Sequence, residues 1–176
     1  MHVPGTSIHG KYMNLPRTEA ERYEDAMTAL EACIMELYDQ AVIAAEDYMT
    51  FVDRQEAKAT GWESRSTLQL SCVRRGNHLD LKWTGVRWYG SKNNRKMVRV
   101  RITTVGETMS YSKDKLNTFA KEWEIDKVME TEAKLHVIRR KAKHIVKSMM
   151  YVRNAVKVYK AAGGDGSDSS EEEAVE

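Results

Sequence analysis

A chain of 176 residues, 41% apolar and 31% charged, can bury one core of modest size under a large solvated surface. It has no run of about 18 apolar residues, which speaks against a helical membrane span, and its N-terminus, MHVPGTSIHGKYMNLPR, lacks the apolar stretch of a secretory signal. The net charge of +2 conceals a segregation: residues 66–105 carry nine Lys/Arg and the single acid Asp80, residues 134–160 carry nine Lys/Arg and no acid, residues 18–63 carry twelve acids against three bases, and residues 165–176 carry six acids and no base. Such blocks give the molecule a directional field, which a phosphate polymer feels over about 8 Å at physiological salt.

Residues 1–17, with Pro4, Gly5, Gly10 and Pro16 and no periodicity, read as a flexible N-terminal arm. Thr18–Glu19–Ala20–Glu21 has the form of a capping box, so a helix should start there. Tyr23, Met27, Leu30, Ile34, Leu37, Ala41, Ala44, Tyr48 and Phe51 then fall in alternating steps of four and three, a heptad seam. No Gly or Pro interrupts the predicted helix over 18–60, and Gly61 should end it as a left-handed cap.

The period then changes to two. Leu68, Leu70 and Cys72 alternate with Gln69, Ser71 and Val73, Arg75–Gly76–Asn77–His78 is turn chemistry, and Leu79, Leu81 and Trp83 alternate with Asp80 and Lys82. After Gly85 the apolar parity moves to Val86 and Trp88, which predicts a bulge. Gly90 to Asn94 forms a second turn, and Val98, Val100 and Ile102 alternate with Arg99, Arg101 and Thr103. The strands are expected at 66–73, 79–89 and 97–104, as an antiparallel meander with one apolar face. A second helix over 113–162 shows Leu116, Phe119 and Trp123 early. Its later seam runs through Leu135, Ile138, Ala142, Ile145, Met149, Val152, Val156 and Tyr159. A bend is expected in its charged middle, Glu124 to Glu132, and Gly163–Gly164 should stop it. Residues 163–176, GGDGSDSSEEEAVE, have the composition of a disordered acidic tail.

The fold expected is therefore α+β: one domain over 18–162, in which two long helices with heptad seams flank a three-stranded antiparallel meander, with disordered termini. The economical arrangement packs the seams on each other as an antiparallel pair with the sheet capping one end. Alternatively, one or both seams serve a homodimer, and periodicity alone does not distinguish these.

The charge blocks ask whether the bases are consumed by the acids. With Leu135 at a heptad a position, Lys134, Arg139, Lys141, Arg153 and Lys160 flank the second seam, against only Glu24, Glu31 and Asp47 on the first. Arg140, Lys143, Lys147 and Lys157 point further outward as a secondary basic stripe. The strand block makes the stronger nucleic-acid candidate: Arg74, Arg75 and Asn77 in one hairpin, Lys82 and Arg87 on the central strand, Lys92, Asn93, Asn94, Arg95 and Lys96 around the second turn, and Arg99 and Arg101 sharing a polar face. Arg, Lys and Asn are the side chains that hold phosphate and read base edges. A charged edge that blocks sheet-to-sheet aggregation is the competing explanation, but nine bases against one acid exceed that need. Trp83, Trp88 and Tyr89 are expected in the core rather than as stacking platforms.

Little in the chain points to catalysis. Asp80–Leu81–Lys82 has the acid-x-Lys form of some metal nucleases, yet the preceding strand offers no second acid. The histidines have no partner at triad or metal spacing, and no phosphate-binding Gly loop occurs. Cys33 and Cys72, far apart and inside apolar patterns, are expected as buried thiols without a disulfide. No catalytic, cofactor or metal residue is expected, and the chain reads as a non-enzyme.

DRQEAKATGWESRS (Asp53–Ser66) and LDLKWTGVRWYGSKNNRKMVRVRI (Leu79–Ile102), together with ALEACIMELYDQA in the first helix, resemble the MobI family of conjugative-transfer proteins of integrative conjugative elements and related plasmids. The resemblance covers about the central half of the chain. It implies a mobilisation factor in the bacterial cytoplasm that acts at the origin of transfer and helps the relaxase find and nick that DNA. The partners expected are double-stranded origin DNA, the relaxase and a second copy of the chain, with no membrane. A helical adaptor that recruits the relaxase without touching DNA is the alternative.

Overall fold

The computed structural model describes residues 17–58, 61–91 and 93–164, so the expected arm before residue 17 and the acidic tail from residue 165 lie outside the described residues. Helix α1 (Glu19–Glu56) leads through a short 3-10 turn to strands β1 (Leu68–Arg75), β2 (His78–Tyr89) and β3 (Lys96–Arg101). After a second 3-10 turn come the five-residue helix α2 (Lys113–Asn117) and the long helix α3 (Ile125–Ala161). The class is α+β, with one antiparallel sheet in the order β1-β2-β3.

The helix ends follow local chemistry where local chemistry is complete. Thr18 caps α1 as a capping box: its hydroxyl accepts the Glu21 amide at 3.2 Å, and the Glu21 carboxylate accepts the Thr18 amide at 2.7 Å. At the far end of α3, Gly163 takes φ +83°, while the Gly163 amide donates to Lys160 O and the Gly164 amide to Tyr159 O, which is the Schellman closure.

Two expected boundaries are corrected. Helix α1 stops at Glu56 with Ala57 as a right-handed cap, not at Gly61. Val52 is its last buried residue, so the segment beyond has no apolar face to hold it, and the Glu56 carboxylate accepts the Ser66 amide at 2.7 Å, drawing the chain into β1. The second helix does not run unbroken from 113: the chain leaves α2 after Asn117 and re-enters helix only at Ile125, upstream of the expected bend. The break lets Phe119 reach the sheet, where its carbonyl accepts the Thr67 hydroxyl at 2.6 Å.

The two seams face each other. Ile34, Leu37, Ala41, Ala44 and Tyr48 of α1 and Leu135, Ile138, Ala142 and Met149 of α3 are buried in one cluster. The pair is antiparallel: the Tyr23 and Tyr159 rings meet at 6.0 Å at one end, and Asp47 and Lys127 pair at 2.6 Å at the other. The inner sheet face lies on the half of the pair that holds the α1 C-terminus. Tyr48 meets Trp83 edge-on at 5.0 Å, and Cys72 Sγ lies 3.8 Å from Ala41 O. Burying rings of this size removes about 150–250 Å² of surface each, on the order of 4–6 kcal/mol of gross hydrophobic stabilisation per ring. Cys72 is half-buried, and burial pushes its thiol up to about 11; Cys33 is free and exposed, contrary to the expectation that both are buried.

No bulge forms at Gly85. Pairing is one-to-one from Leu68↔Gly85 to Arg75↔His78 and from Thr84↔Arg101 to Tyr89↔Lys96. The glycine has a different reason: a Cβ there would overlap the Phe119 ring, which rests directly on the β2 backbone. Gly85→Ala is therefore expected to destabilise the protein by about 1–3 kcal/mol through overpacking. In a urea-unfolding cycle with Phe119→Ala, the two effects should be strongly non-additive; additive effects would show that the close approach of the ring is not what the glycine serves.

Candidate nucleic-acid interface

Direct cross-strand partners share a face, so the register sorts every side chain of the sheet. Leu70, Trp83, Gly85 and Val100 face the helices. The opposite, outer face carries Gln69, Val73 and Arg75 from β1, His78, Lys82 and Trp88 from β2, and Met97, Arg99 and Arg101 from β3, all exposed. Arg99 and Arg101 are one two-residue step apart, about 6.8 Å along the strand. Lys82 is the diagonal neighbour of Arg101, about 7–8 Å away. The sole acid of the sheet, Asp80, lies on the same face and pairs with Lys82 at 2.7 Å. An exposed pair of this kind contributes only about 0–1 kcal/mol, so it yields readily to a phosphate.

The structure thus gathers four of the expected residues, Arg75, Lys82, Arg99 and Arg101, on one open face. It separates others from them. Arg87 points to the inner side and lies over the Phe119 ring at 5.2 Å. Arg74, half-buried, donates through Nε to Gly76 O at 2.7 Å, and Asn77 donates to Glu31 of α1 at 3.2 Å. Asn93, Asn94, Arg95 and Lys96 are exposed at the β2–β3 turn, although Lys96 shares the inner parity of Tyr89. Lys92 lies outside the described residues. Gly90 shapes this turn with φ +101°, and a Cβ there would collide with the Asn94 carbonyl.

Two aromatic side chains expected in the core are not there. Trp83 is buried, but Trp88 and Tyr89 are each 53% exposed, on opposite faces of the ribbon. Because the strand runs through Gly85 without a bulge, the parity shift in the sequence leaves Val86 and Trp88 on the outer side. That shift was the available signal for an aromatic on the solvent face.

The secondary stripe, Arg140, Lys143, Lys147 and Lys157, is exposed on α3, with Lys147 Nζ 5.9 Å from the Tyr151 ring. It belongs to the helical layer and does not join the outer sheet face. At most three flanking acids of α1 are expected to face the five seam-flanking bases of α3. Asp47 pairs with Lys127, Lys134 with Glu130 of its own helix at 2.8 Å, and Arg139 with Glu132 of its own helix.

That last pair is buried, with Arg139 5% and Glu132 3% exposed. Glu132 also accepts Trp83 Nε1–H at 2.9 Å and the Tyr111 amide at 2.9 Å. Arg139 donates to the carbonyl of Met109, a left-handed non-glycine residue, at 2.9 Å and stacks over Tyr111 at 5.0 Å. The network joins α3, the central strand and the 105–111 segment. The sequence did not mark it: one step of four back along the second seam from Leu135 falls on Thr131, and Glu132 stands beside the seam rather than on it.

A second buried carboxylate, Glu124, accepts from Tyr48 Oη at 3.0 Å, Ser66 Oγ at 2.9 Å and the Lys121 amide at 2.7 Å, and takes part in no ion pair among the described residues. Burial is the main cause that raises its pKa above the ordinary carboxylate value, against the lowering effect of those donors. In the window between the unfolded value and the raised folded value, the native state binds the extra proton, so stability falls as pH rises through it. Glu124→Gln keeps the shape, and Tyr48 Oη can accept from the new amide. The variant is expected to be at least as stable as the parent at pH 7, with its relative advantage shrinking as pH falls toward 4. Parallel thermal-melt curves at all pH values would contradict this.

Among the described residues no cluster of three or more His, Cys, Asp or Glu side chains could hold a metal ion. The Asp80–Lys82 pair stands by itself on the open face. The fold and this face describe a small α+β protein that presents a basic sheet surface backed by a helical pair.

Comparison with protein-family models matches MobI, the MobI protein family, over residues 37–153, and the chain belongs to that family. The matched span contains the whole sheet, the second half of α1 and most of α3. MobI is an accessory mobilisation family and not a known enzyme family, which ties the chain to conjugative mobilisation. No match was found among curated proteins or solved structures.

Proposed function

We propose that this protein is a non-enzymatic DNA-binding accessory factor of conjugative transfer, acting in the bacterial cytoplasm at the origin of transfer to help recruit the relaxase or assemble the relaxosome. The observation that carries the reading is the outer sheet face, where Arg75, Lys82, Arg99 and Arg101 stand exposed with one acid among them. Guanidinium and ammonium groups at strand spacing suit a phosphate backbone. No helix among the described residues is long and apolar enough to cross a membrane.

A groove between the two long helices favours a second reading, that of a protein adaptor. It has a volume of about 590 Å³ and is lined by Ile43, Ala44, Ala133 and Val137, with Ile43 66% exposed. A relaxase or a second copy of the chain would suit such a surface. The test is a gel-shift titration of the full chain with origin duplex and with random duplex, beside a relaxase capture assay on the same preparation. Origin binding that disappears when Arg99 and Arg101 are reversed supports the first reading. Relaxase capture without any DNA binding supports the adaptor.

A further inference from the structure

The outer sheet face holds more than cations. Trp88 and Met97 are direct cross-strand partners on that face, 53% and 46% exposed. Arg99 follows Met97 by one same-face step, and Val86 lies buried between Trp88 and Thr84 on the same side. Trp88 and Met97 thus form one contiguous apolar patch within a basic face, and contiguous patches, rather than single exposed side chains, mark binding surfaces. The helices bury only the inner face, and Trp83, five residues before Trp88, already fills the core.

The chemistry of this surface matches an unpaired nucleobase. An indole face offers a stacking partner that is indifferent to base identity, and cations along a neighbouring strand can follow the phosphates of one chain. The step between same-face residues of a strand is about 6.8 Å, comparable with the spacing of successive phosphates in an extended single strand. In a duplex the base faces are occupied by their neighbours, so an aromatic on a flat sheet gains nothing there beyond edge contact. We propose that the outer sheet face binds single-stranded DNA, with Trp88 stacking on an unpaired base and Arg99 and Arg101 holding the adjoining phosphates. The inference rests on the DNA-binding reading above and adds to it a preference for an opened strand.

The test uses the full chain and three probes: a 20-nucleotide oligo-dT strand, an abasic strand of the same length, and a random duplex. Trp88→Ala should weaken oligo-dT binding by about tenfold, the size of one base–aromatic stack. It should leave the abasic strand and the duplex unchanged within about twofold, because the cations that hold phosphate remain. Trp88→Phe should recover most of the affinity, and oligo-dT, but not the abasic strand, should quench the fluorescence of the parent more than that of Trp88→Phe. Equal weakening on all three probes would make Trp88 a structural residue and overturn the proposal. So would unchanged oligo-dT affinity, or a defect in relaxase capture alone. If the parent binds neither duplex nor single strand, the DNA-binding reading itself fails. If it binds duplex through Arg99 and Arg101 and Trp88→Ala changes nothing, only the single-strand inference fails.

Discussion

Arg99→Glu combined with Arg101→Glu is expected to weaken binding to origin duplex by at least about a hundredfold at low salt while leaving the fold intact. Both side chains are exposed on the outer face and make no hydrogen bond or ion pair among the described residues, so the core has nothing to lose. A hydrogen bond to a charged group contributes about 1.5–3 kcal/mol, and about 1.4 kcal/mol is a factor of ten in affinity. Reversal also adds repulsion against each phosphate. The dependence of log K on log salt should become shallower by about 0.9 for each phosphate that is no longer neutralised. Circular dichroism and the unfolding midpoint should match the parent. Unchanged affinity with an unchanged fold would remove the sheet face as the binding surface and leave the α3 stripe, Arg140, Lys143, Lys147 and Lys157, as the basic region to test.

Glu132→Ala should have the largest effect on stability, about 3–5 kcal/mol in urea unfolding. The substitution leaves the Arg139 guanidinium buried beside no carboxylate, and it orphans Trp83 Nε1–H and the Tyr111 amide at once. The remedy follows from the same physics. Replacing both charges by apolar groups, Glu132→Leu with Arg139→Met, removes the uncompensated charge and should recover most of the stability, short of the hydrogen bonds to Trp83 and Tyr111. A destabilisation below about 1 kcal/mol for Glu132→Ala would mean that the site admits water and is not the closed network its burial indicates. Because Trp83 lies on β2 between Lys82 and Thr84, loosening it should also reduce the ordering of the outer face.

The sequence alone was enough for the parts of the structure that depend on neighbours within a turn or a strand. The Thr18–Glu21 capping box, the Gly163–Gly164 stop, the two hairpin turns and the three alternating strands all use hydrogen bonds or periodicities that span a few residues. The seams through Ile34 to Tyr48 and through Leu135 to Met149 were also legible, because a buried stripe on a long helix repeats often enough to be unambiguous. From the strand parity alone, Arg99, Arg101 and Lys82 could be placed on one polar face.

What the tertiary structure decided is where distant residues compete for the same place. Phe119 occupies the position that a Gly85 side chain would fill, so β2 continues without a bulge and Trp88 emerges on the outer face. The same docking of Phe119 breaks a helix that reads as continuous, since leaving helical geometry for a few residues is outweighed by burying a ring against the sheet. Glu132 satisfies an arginine, an indole and a backbone amide that lie in three separate segments. No pattern within one helix foretells that arrangement, because charge pairing in a low-dielectric interior depends on which groups the fold brings within about 3 Å. Local order follows from short-range hydrogen bonding and spacing, whereas the facing of Trp88, and with it the character of the outer sheet surface, follows from packing between segments far apart in the chain.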